Sequence, residues 1–169
     1  MVSVELIDRL SIFPITLMGM KHSGKTTLGK RLAQAWSLAF QDLDDLVIAE
    51  YLRGGDAAAD GMGPVGIRDV FRALGATDFK KVEARAATAL VAAAAAREFR
   101  IVSALGGGTI ENEPAMNILS SRGTLVYLEA EAAVLFRRIM RGGVPAFLDP
   151  TDPERAFNEL YEKRTRLYR

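Results

Sequence analysis

The stretch "GMKHSGKT" at residues 19–26 constrains the fold of this chain more than any other feature of its sequence. It fits the pattern of a glycine, four residues, then Gly-Lys and Ser or Thr. The apolar run "PITLM" before it predicts a buried strand, and Leu28, Leu32 and Ala35 after it lie at helical spacing. In such a turn, backbone N–H groups and a helix N-terminus point at phosphate oxygens. The sequence therefore predicts a phosphate-binding loop in an α/β fold.

The side chains of this loop predict roles toward ATP. Lys25 is expected to lie on an exposed part of the loop, to reach the β- and γ-phosphates and to act in catalysis. Thr26 is expected to bind Mg²⁺. Lys21 and His22 are expected to face solvent, and His22 to have no catalytic role. The other loop positions expected to contact the nucleotide are Gly19, His22, Ser23, Gly24 and Thr27.

Short apolar runs alternate with helical patterns along the rest of the chain. Further strands are predicted at "LAF" (38–40), "RIVSAL" (100–105) and "GTLVYLEA" (123–130). Helices are predicted over 67–74 and 78–99, and a last helix from the capping residue Asp152 and Pro153. This alternation predicts one three-layer α/β/α domain over residues 1–169, with four parallel strands and the phosphate-loop strand flanked on both sides. A fifth strand is not expected because no apolar run follows Tyr168.

Composition excludes several classes of function. The 22 basic and 21 acidic residues give a net charge of +1, so no strong basic field is available for nucleic acid. The chain has no cysteine and one histidine, which argues against disulfides and zinc sites. No apolar run approaches ~18 residues, and Glu5 and Asp8 interrupt any leader pattern. We expect a cytoplasmic monomer with a small-molecule substrate and neither a nucleic-acid nor a membrane partner.

An acidic pair follows the second predicted strand. Asp42 and Asp44 are two residues apart, so in an extended chain they would point the same way, about 6–7 Å apart. They fall at the carboxyl end of a parallel strand, where open α/β sheets bind ligands. One carboxylate is expected to hold water on Mg²⁺, and the other to bind or deprotonate a hydroxyl near the γ-phosphate. The alternative is a solvated turn or a helix N-terminus.

Two further features predict a substrate pocket. Gly106, Gly107 and Gly108 follow the third strand, where they would expose backbone N–H groups and leave room for a substrate. Arg164 lies at helical spacing from Phe157 and Tyr161, and so on an apolar stripe. It either faces the site from there or extends past the stripe to solvent, and the spacing alone favours neither.

Two loops lack periodicity. Residues 53–66 contain five glycines and are expected to form a mobile insertion. The resemblance described below implies that they lie within an acceptor-binding segment at about 44–83. Residues 141–153 contain two glycines and three prolines and are expected to form a lid.

Taken together, these stretches resemble the shikimate kinases, within the nucleoside-monophosphate-kinase-like P-loop group. The resemblance runs from about Pro14 to Arg169. It is carried by "GMKHSGKTTLGKRLA", "DLDDL", "IRDVFRALGATDFKKVE", "LGGGT", "GTLVYLEAEAAVLFRRI" and "YEKRTRLYR".

The resemblance implies transfer of the ATP γ-phosphate to a ring hydroxyl of shikimate, in the chorismate pathway. Lys25 would stabilise the transferring phosphoryl group, and Asp42 would hold the water shell of Mg²⁺. Asp44 would bind the acceptor hydroxyls and act in catalysis. The glycine triplet would bind the ring, and Arg164 would pair with the shikimate carboxylate.

The chain departs from the family pattern at the acceptor carboxylate and in the lid. Lys80 stands where the family has an arginine, so a point charge replaces a planar fork. The family's lid contains Arg-Pro-Leu, whereas "GGVPAFL" has no arginine. Two arginines are candidates to supply that charge. Arg138 would contact the nucleotide, and Arg141 would act in catalysis. The segment 54–66 is longer than the family's connection.

The family also continues beyond "LYR" into a strand and a helix that flank an adenine-contacting loop. Either this chain holds adenine differently or it is a trimmed form. These departures leave two alternatives to shikimate phosphorylation. One is a kinase of the same fold that acts on another small hydroxy acid. The other is a nucleotide-binding module without transfer activity.

Overall fold

The computed structural model describes residues 14–54, 66–145 and 147–169, and its centre is a four-stranded parallel sheet. The strands are β1 (Ile15–Met18), β2 (Ala39–Asp42), β3 (Ile101–Ala104) and β4 (Thr124–Tyr127), in the order β2-β3-β1-β4. Leu17 pairs with Ala104 on one side and with Val126 on the other. The predicted fold class, strand count and flanked central strand are confirmed for the described residues. The segments 1–13 and 55–65 lie outside the described residues, and so does most of the expected insertion.

Both faces of this sheet are covered, as expected for short continuous apolar strands. Ile15, Leu17 and Val102 pack on one face with Ala33. Met18 and Ile101 face the other way and join the larger core. All four residues of β1 and of β3 are buried. The central strands therefore provide a fixed frame whose carboxyl ends carry the loops discussed below.

Six α-helices surround the sheet in the described part of the chain. Their bounds are α1 (Lys25–Ala35), α2 (Leu43–Arg53), α3 (Ile67–Ala95), α4 (Glu113–Ser120), α5 (Ala132–Met140) and α6 (Pro153–Tyr168). A 3₁₀ turn spans Thr109–Glu111. None of the helices in 14–54, 66–145 and 147–169 combines the length and the apolar character needed to cross a membrane.

Helix α1 packs on the sheet through its smallest residues. A Cβ on Gly29 would lie 2.5 Å from Cε2 of Phe40, and Ala33 is buried beside it. Leu28, in contrast, is 38% exposed. The helix was correctly predicted from the spacing of Leu28, Leu32 and Ala35, although only Leu32 of these three packs against the core. The absence of a side chain at Gly29 allows the close approach.

The two helices predicted between the second and third strands are continuous in α3 except at Gly75. Gly75 has φ 68° and ψ 175°, which breaks the helical path. The second predicted helix ends earlier than expected, at Ala95, because Glu98 and Phe99 adopt left-handed backbone angles. Its alanine-rich face is packed core, with Ala86, Ala87 and Leu90 buried.

Three of the six described helices, α2, α4 and α6, begin at a residue whose side chain caps the helix. The Asp152 side chain accepts a hydrogen bond from the Arg155 N–H, and Pro153 is the first residue of α6, as predicted. Asn112 caps α4. Helix α2 begins at Leu43, directly after β2, with Asp42 as its cap. The sequence predicted an extended segment here and gave a helix N-terminus only as the alternative.

Candidate active site

The loop between β1 and α1 has the strained backbone that its glycines predict. Gly19 has φ 147°, and a Cβ there would lie 2.7 Å from the carbonyl oxygen of Leu128. Gly24, the cap of α1, has φ 98°. His22 adopts φ 63° without being a glycine and remains exposed. These angles turn the chain sharply enough to leave a concave loop at the N-terminus of α1.

Lys25 lies inside this loop. Its side chain is 7% exposed, and its Nζ donates to the carbonyl oxygens of Gly19 and Met20, both at 2.9 Å. Burial lowers the pKa of Lys25 to about 8, against the opposing attraction of Asp44 and Asp42. The expectation that Lys25 lies on an exposed part of the loop was wrong, because the loop wraps around the amine.

The loop has the features of a phosphate cradle. The Ser23 Oγ is buried and has no hydrogen-bond partner among the described residues. An orphaned hydroxyl, a buried ammonium and the free N–H groups of a helix N-terminus all suit phosphate oxygens. Thr27 is exposed in the first turn of α1. The predicted nucleotide-contacting residues thus lie together on one turn of chain.

Thr26 and Asp42 meet at the edge of this cradle. The Thr26 hydroxyl donates to Oδ2 of Asp42 at 2.8 Å. The other oxygen, Oδ1, accepts the Asp44 N–H at 3.1 Å and so caps α2. A hydroxyl and a carboxylate beside a phosphate loop are the hard oxygen groups that Mg²⁺ prefers, alongside water and phosphate. The donor set therefore fits the predicted metal.

Asp44 lies in the first turn of α2, not on an extended chain. The expectation of an extended chain through Asp42 and Asp44 was wrong, because β2 ends at Asp42 and the helix begins at once. Burial, reinforced by the charges of Asp42 and Glu83, raises the pKa of Asp44 to about 6, while Lys25 and Lys21 oppose the rise. Asp44 is thus a desolvated carboxylate beside the loop lysines.

The glycine triplet connects the phosphate loop to the remaining candidate residues. A Cβ on Gly106 would lie 2.9 Å from Oδ1 of Asp44, and one on Gly107 would lie 2.8 Å from the backbone nitrogen of Lys21. A Cβ on Gly108 would lie 3.2 Å from Nη2 of Arg164. No other residue type would fit these three approaches without displacing a neighbour. The triplet thus brings Asp44, the phosphate loop and Arg164 to one edge of the sheet.

Arg164 faces inward from α6, with its side chain 17% exposed, and it contacts a carboxylate of its own chain. Its Nε and Nη2 donate to Oε2 of Glu111 at 2.8 and 2.6 Å. Lys163 lies 2.5 Å from the other oxygen of Glu111, and Lys80 Nζ donates to its backbone carbonyl at 3.0 Å. Burial opposes ionisation here, but hydrogen bonds from Lys163 and Arg164 outweigh it and hold the pKa of Glu111 below its ordinary value.

Sequence reasoning missed two acidic residues of this region, Glu111 and Glu83. Glu83 is buried and accepts from Thr109 Oγ1 and Asn112 Nδ2, both at 2.7 Å. A signal for Glu83 was available, because it lies one helical turn from Lys80 on a face otherwise rich in apolar residues. Glu111 carries no such signal, since its partners are distant in the chain.

The two candidate arginines lie at different places relative to the phosphate loop. Arg138 Nη1 donates to the His22 carbonyl at 3.0 Å, so it already touches the phosphate loop. Arg141 is exposed just beyond α5. In the segment expected to form a lid, the Phe147 ring lies 5.8 Å from Nζ of Lys21. Lys21 is half-buried, although it was expected to face solvent. Residues of the expected lid therefore contact the phosphate loop.

Comparisons with known proteins agree with this geometry. A family model described as shikimate kinase matches residues 21–169. A shikimate kinase of Bordetella avium is 35% identical over 171 residues, covering 99% of this chain and 74% of that protein. A shikimate kinase of Chlamydia pneumoniae is 31% identical over 150 residues, covering 89% of this chain and 77% of that protein.

Solved structures give the same answer for the fold. A shikimate kinase from Acinetobacter baumannii in complex with shikimate superimposes with a TM-score of 0.73, at 26% identity, over 95% of this chain and 81% of that one. A shikimate kinase from Aquifex aeolicus gives a TM-score of 0.66, at 28% identity, over 91% and 80%. The match of the family model across most of the chain, with these relatives, shows that the chain is a kinase that belongs to the shikimate kinase family.

Proposed function

We propose that this protein transfers the γ-phosphoryl group of ATP to a hydroxyl of shikimate in a Mg²⁺-dependent reaction. The observation that carries the proposal is the convergence of Lys25, Asp44 and Arg164 around the glycine triplet at one edge of the sheet. A phosphate site and an anion-binding arginine flank one desolvated carboxylate there. The relative from Acinetobacter baumannii was solved with shikimate bound, which supports the same acceptor for this chain.

At the nucleotide end, the loop residues would bind the phosphates through backbone N–H groups, Ser23 and Lys25. Thr26 and Asp42 would hold Mg²⁺, which when bound neutralises charge on the phosphate oxygens. Arg138, already at the loop, is the better placed of the two arginines to neutralise charge as the phosphoryl group moves, and Arg141 would need the lid to bring it inward. These groups stabilise charge without reacting covalently.

At the acceptor end, Arg164 and Lys80 would bind the carboxylate, and the triplet would contact the ring. The acceptor oxygen would form a bond to the γ-phosphorus while the bond from that phosphorus to the β,γ-bridging oxygen breaks. Asp44 would accept the proton of the acceptor hydroxyl, and ADP would leave. A carboxylate held in a desolvated position beside the reacting hydroxyl is suited to this transfer.

We further propose a single domain with an acceptor segment at about 44–83 and a lid at 141–153. The protein would act as a cytoplasmic monomer that supplies phosphorylated shikimate to the chorismate pathway. A second candidate function is phosphorylation of another small hydroxy acid. It is favoured by one observation: Lys80 stands where the family has an arginine, so the charges that would hold the acceptor differ from the family's.

The test is an acceptor-dependent ADP-release assay with shikimate and a panel of other hydroxy acids. We expect release with shikimate above the acceptor-free rate, and its loss in Lys25→Ala. Release with another acid but not with shikimate would select the second candidate. Nucleotide binding without acceptor-dependent release from any acid would reject both kinase proposals.

A further inference from the structure

The arginine assigned above to the acceptor carboxylate already has a carboxylate partner. Glu111 Oε2 receives both the Nε and the Nη2 hydrogen bonds of Arg164, at 2.8 and 2.6 Å. The contact is well shielded from water, since the two side chains are only 17% and 19% exposed. Ion pairs of this kind are stronger than those on an open surface. Arg164 is therefore not a free anion site in this conformation.

The surrounding charges hold Glu111 in this position from three directions. Lys163, from α6, contacts the other carboxylate oxygen, and Lys80, from α3, donates to the Glu111 backbone. The 3₁₀ turn Thr109–Glu111 that carries Glu111 follows the glycine triplet directly. Nη2 of Arg164 also lies beside Gly108. The Glu111 carboxylate thus holds the guanidinium at the edge of the proposed ring site.

We propose that Glu111 is a specificity-determining residue, a resident carboxylate that an acceptor carboxylate must displace from Arg164. This inference rests on the proposed function, because it takes Arg164 as the acceptor's anion partner. Displacement leaves Glu111 in contact with Lys163, so its charge is not stranded. The free energy of breaking the Glu111 contact is subtracted from the binding of every acidic acceptor. An acidic acceptor binds only those protein molecules in which Arg164 is free. Its apparent affinity is therefore the intrinsic affinity multiplied by the fraction of such molecules.

The opposite role would be a purely orienting one, in which Glu111 holds Arg164 ready for the substrate and stays in place. The two roles predict opposite effects of removing the charge. If Glu111 competes, Glu111→Gln strengthens binding of an acidic acceptor. If Glu111 only orients Arg164, the same change weakens it. Glutamine has nearly the same shape and keeps an acceptor oxygen, so the substitution removes charge with little change in packing.

The experiment compares wild type, Glu111→Gln and Glu113→Gln by isothermal titration with shikimate and with its methyl ester, without nucleotide. Glu113 is exposed two residues away, so its variant removes the same charge nearby without touching Arg164. We expect Glu111→Gln to bind shikimate about 10-fold more tightly or better, the size of one charged hydrogen bond. The ester should bind all three proteins alike within about twofold. In turnover, KM for shikimate should fall in Glu111→Gln, while kcat and KM for ATP stay within about twofold.

Weaker or unchanged shikimate binding in Glu111→Gln, or an equal gain in Glu113→Gln, would overturn the inference and leave the proposed function standing. If none of the three proteins binds or phosphorylates shikimate, the proposed function fails instead. The same titrations with quinate, gluconate and glycerate then decide the inference. It stands if one of these acids binds Glu111→Gln at least 10-fold more tightly than wild type, and it falls if none does.

Discussion

The pKa values of three charged residues in this site depend on how each side chain is buried and hydrogen-bonded. Lys25 and Asp44 are both partly desolvated, and each shifts toward its neutral form: the pKa of Lys25 falls to about 8 and that of Asp44 rises to about 6. Glu111 shows the reverse, because hydrogen bonds from two cations outweigh its burial. A single substitution at one of these residues is therefore expected to change the catalytic rate and the free energy of unfolding by different amounts.

Lys25→Met should abolish transfer without lowering stability. The lysine amine is the loop's cation for the developing phosphate charge, and loss of one such group costs about 10²–10³ in turnover. Burial disfavours the charged amine, which offsets the loss of its two hydrogen bonds to Gly19 and Met20. Replacing it with an apolar chain of similar length should therefore change the free energy of unfolding by less than about 1 kcal/mol. Urea denaturation and ADP release measure the two effects. A loss above about 1 kcal/mol in stability, or near-normal turnover, would contradict this account.

The two aspartates should divide their labour. Asp42→Asn should raise the Mg²⁺ concentration needed for half-maximal rate, because Oδ2 of Asp42 lies beside Thr26. Asparagine is an equally good helix cap, so α2 should remain intact. Asp44→Asn should instead depress kcat at saturating Mg²⁺. Magnesium titrations of both variants decide the matter, and identical curves would rule the division out.

The Glu111 contact should stabilise the fold in a pH-dependent manner. The pKa of Glu111 is held below its ordinary value of 4.5, so the folded state binds its proton less tightly than the unfolded state does. The stabilisation is fully present above pH 4.5 and is lost as the pH falls through the folded pKa. The stability difference between wild type and Glu111→Gln should therefore shrink below pH 4.5. Urea denaturation across this range is the measurement, with Glu113→Gln as the control. A difference that stays constant through the range would contradict the prediction.

At the scale of elements, the site is positioned by helices that start where strands end. Asp42 ends β2 and caps α2, and the phosphate loop joins β1 to α1. Small residues set how closely these helices approach the sheet. On α1 those residues are Gly29 and Ala33, and the larger Leu28 lies outside.

Gly29→Ala should destabilise the protein by about 1–3 kcal/mol, the usual cost of overpacking. Alanine is the better helix former by about 1 kcal/mol, but its Cβ would lie 2.5 Å from the Phe40 ring and 3.3 Å from Leu17. Leu28→Ala on the exposed side is the matched control and should change stability by less than about 0.5 kcal/mol. Thermal or urea denaturation compares the two. Equal losses would mean that the α1 face has been assigned wrongly.

At the scale of the whole molecule, the acceptor side is assembled from three distant segments. Lys80 comes from α3, Glu111 from the turn after β3 and Arg164 from α6. Tyr168 adds a tie, since its hydroxyl donates to the Gly107 carbonyl at 2.8 Å while its ring stacks on Tyr127. The end of α6 therefore fixes the glycine triplet as well as the arginine.

Arg164→Ala should weaken binding of an acidic acceptor by a factor of about 10 to 150, the value of one charged hydrogen bond. ATP binding should be nearly unchanged, because the Arg164 guanidinium donates its hydrogen bonds to Glu111 and not to a residue of the phosphate loop. Lys80→Arg should leave KM for shikimate equal or lower, since a planar fork replaces a point charge. Steady-state kinetics with shikimate and its methyl ester are the measurement. An ester that reacts as well as the free acid would argue against the carboxylate clamp.

Much of the fold was predictable because its signals are local. The four strands appear as short apolar runs, and Asp152 and Pro153 marked the start of α6 correctly. The positions of the phosphate loop and the triplet followed from strand ends, whereas the inward position of Arg164 is one of two that its helical spacing left open. The errors were also local in origin. Asp44 was placed on an extended chain because nothing in "FQDLDD" says where the helix begins. Leu28 belongs to the apolar pattern of α1 but lies on its exposed side, although leucine is usually core.

The sequence by itself determined the parallel sheet, the phosphate loop and the family, since each rests on short-range patterns of residues. Only the tertiary structure decided the state of the charges. The burial of Lys25 depends on how its loop closes, and the partner of Arg164 is Glu111, 53 positions away along the chain. The contact of Arg164 with Glu111 forms where α6 meets the 3₁₀ turn after β3, and no spacing along the chain records it. The folded chain alone therefore shows that the proposed acceptor site already holds a carboxylate.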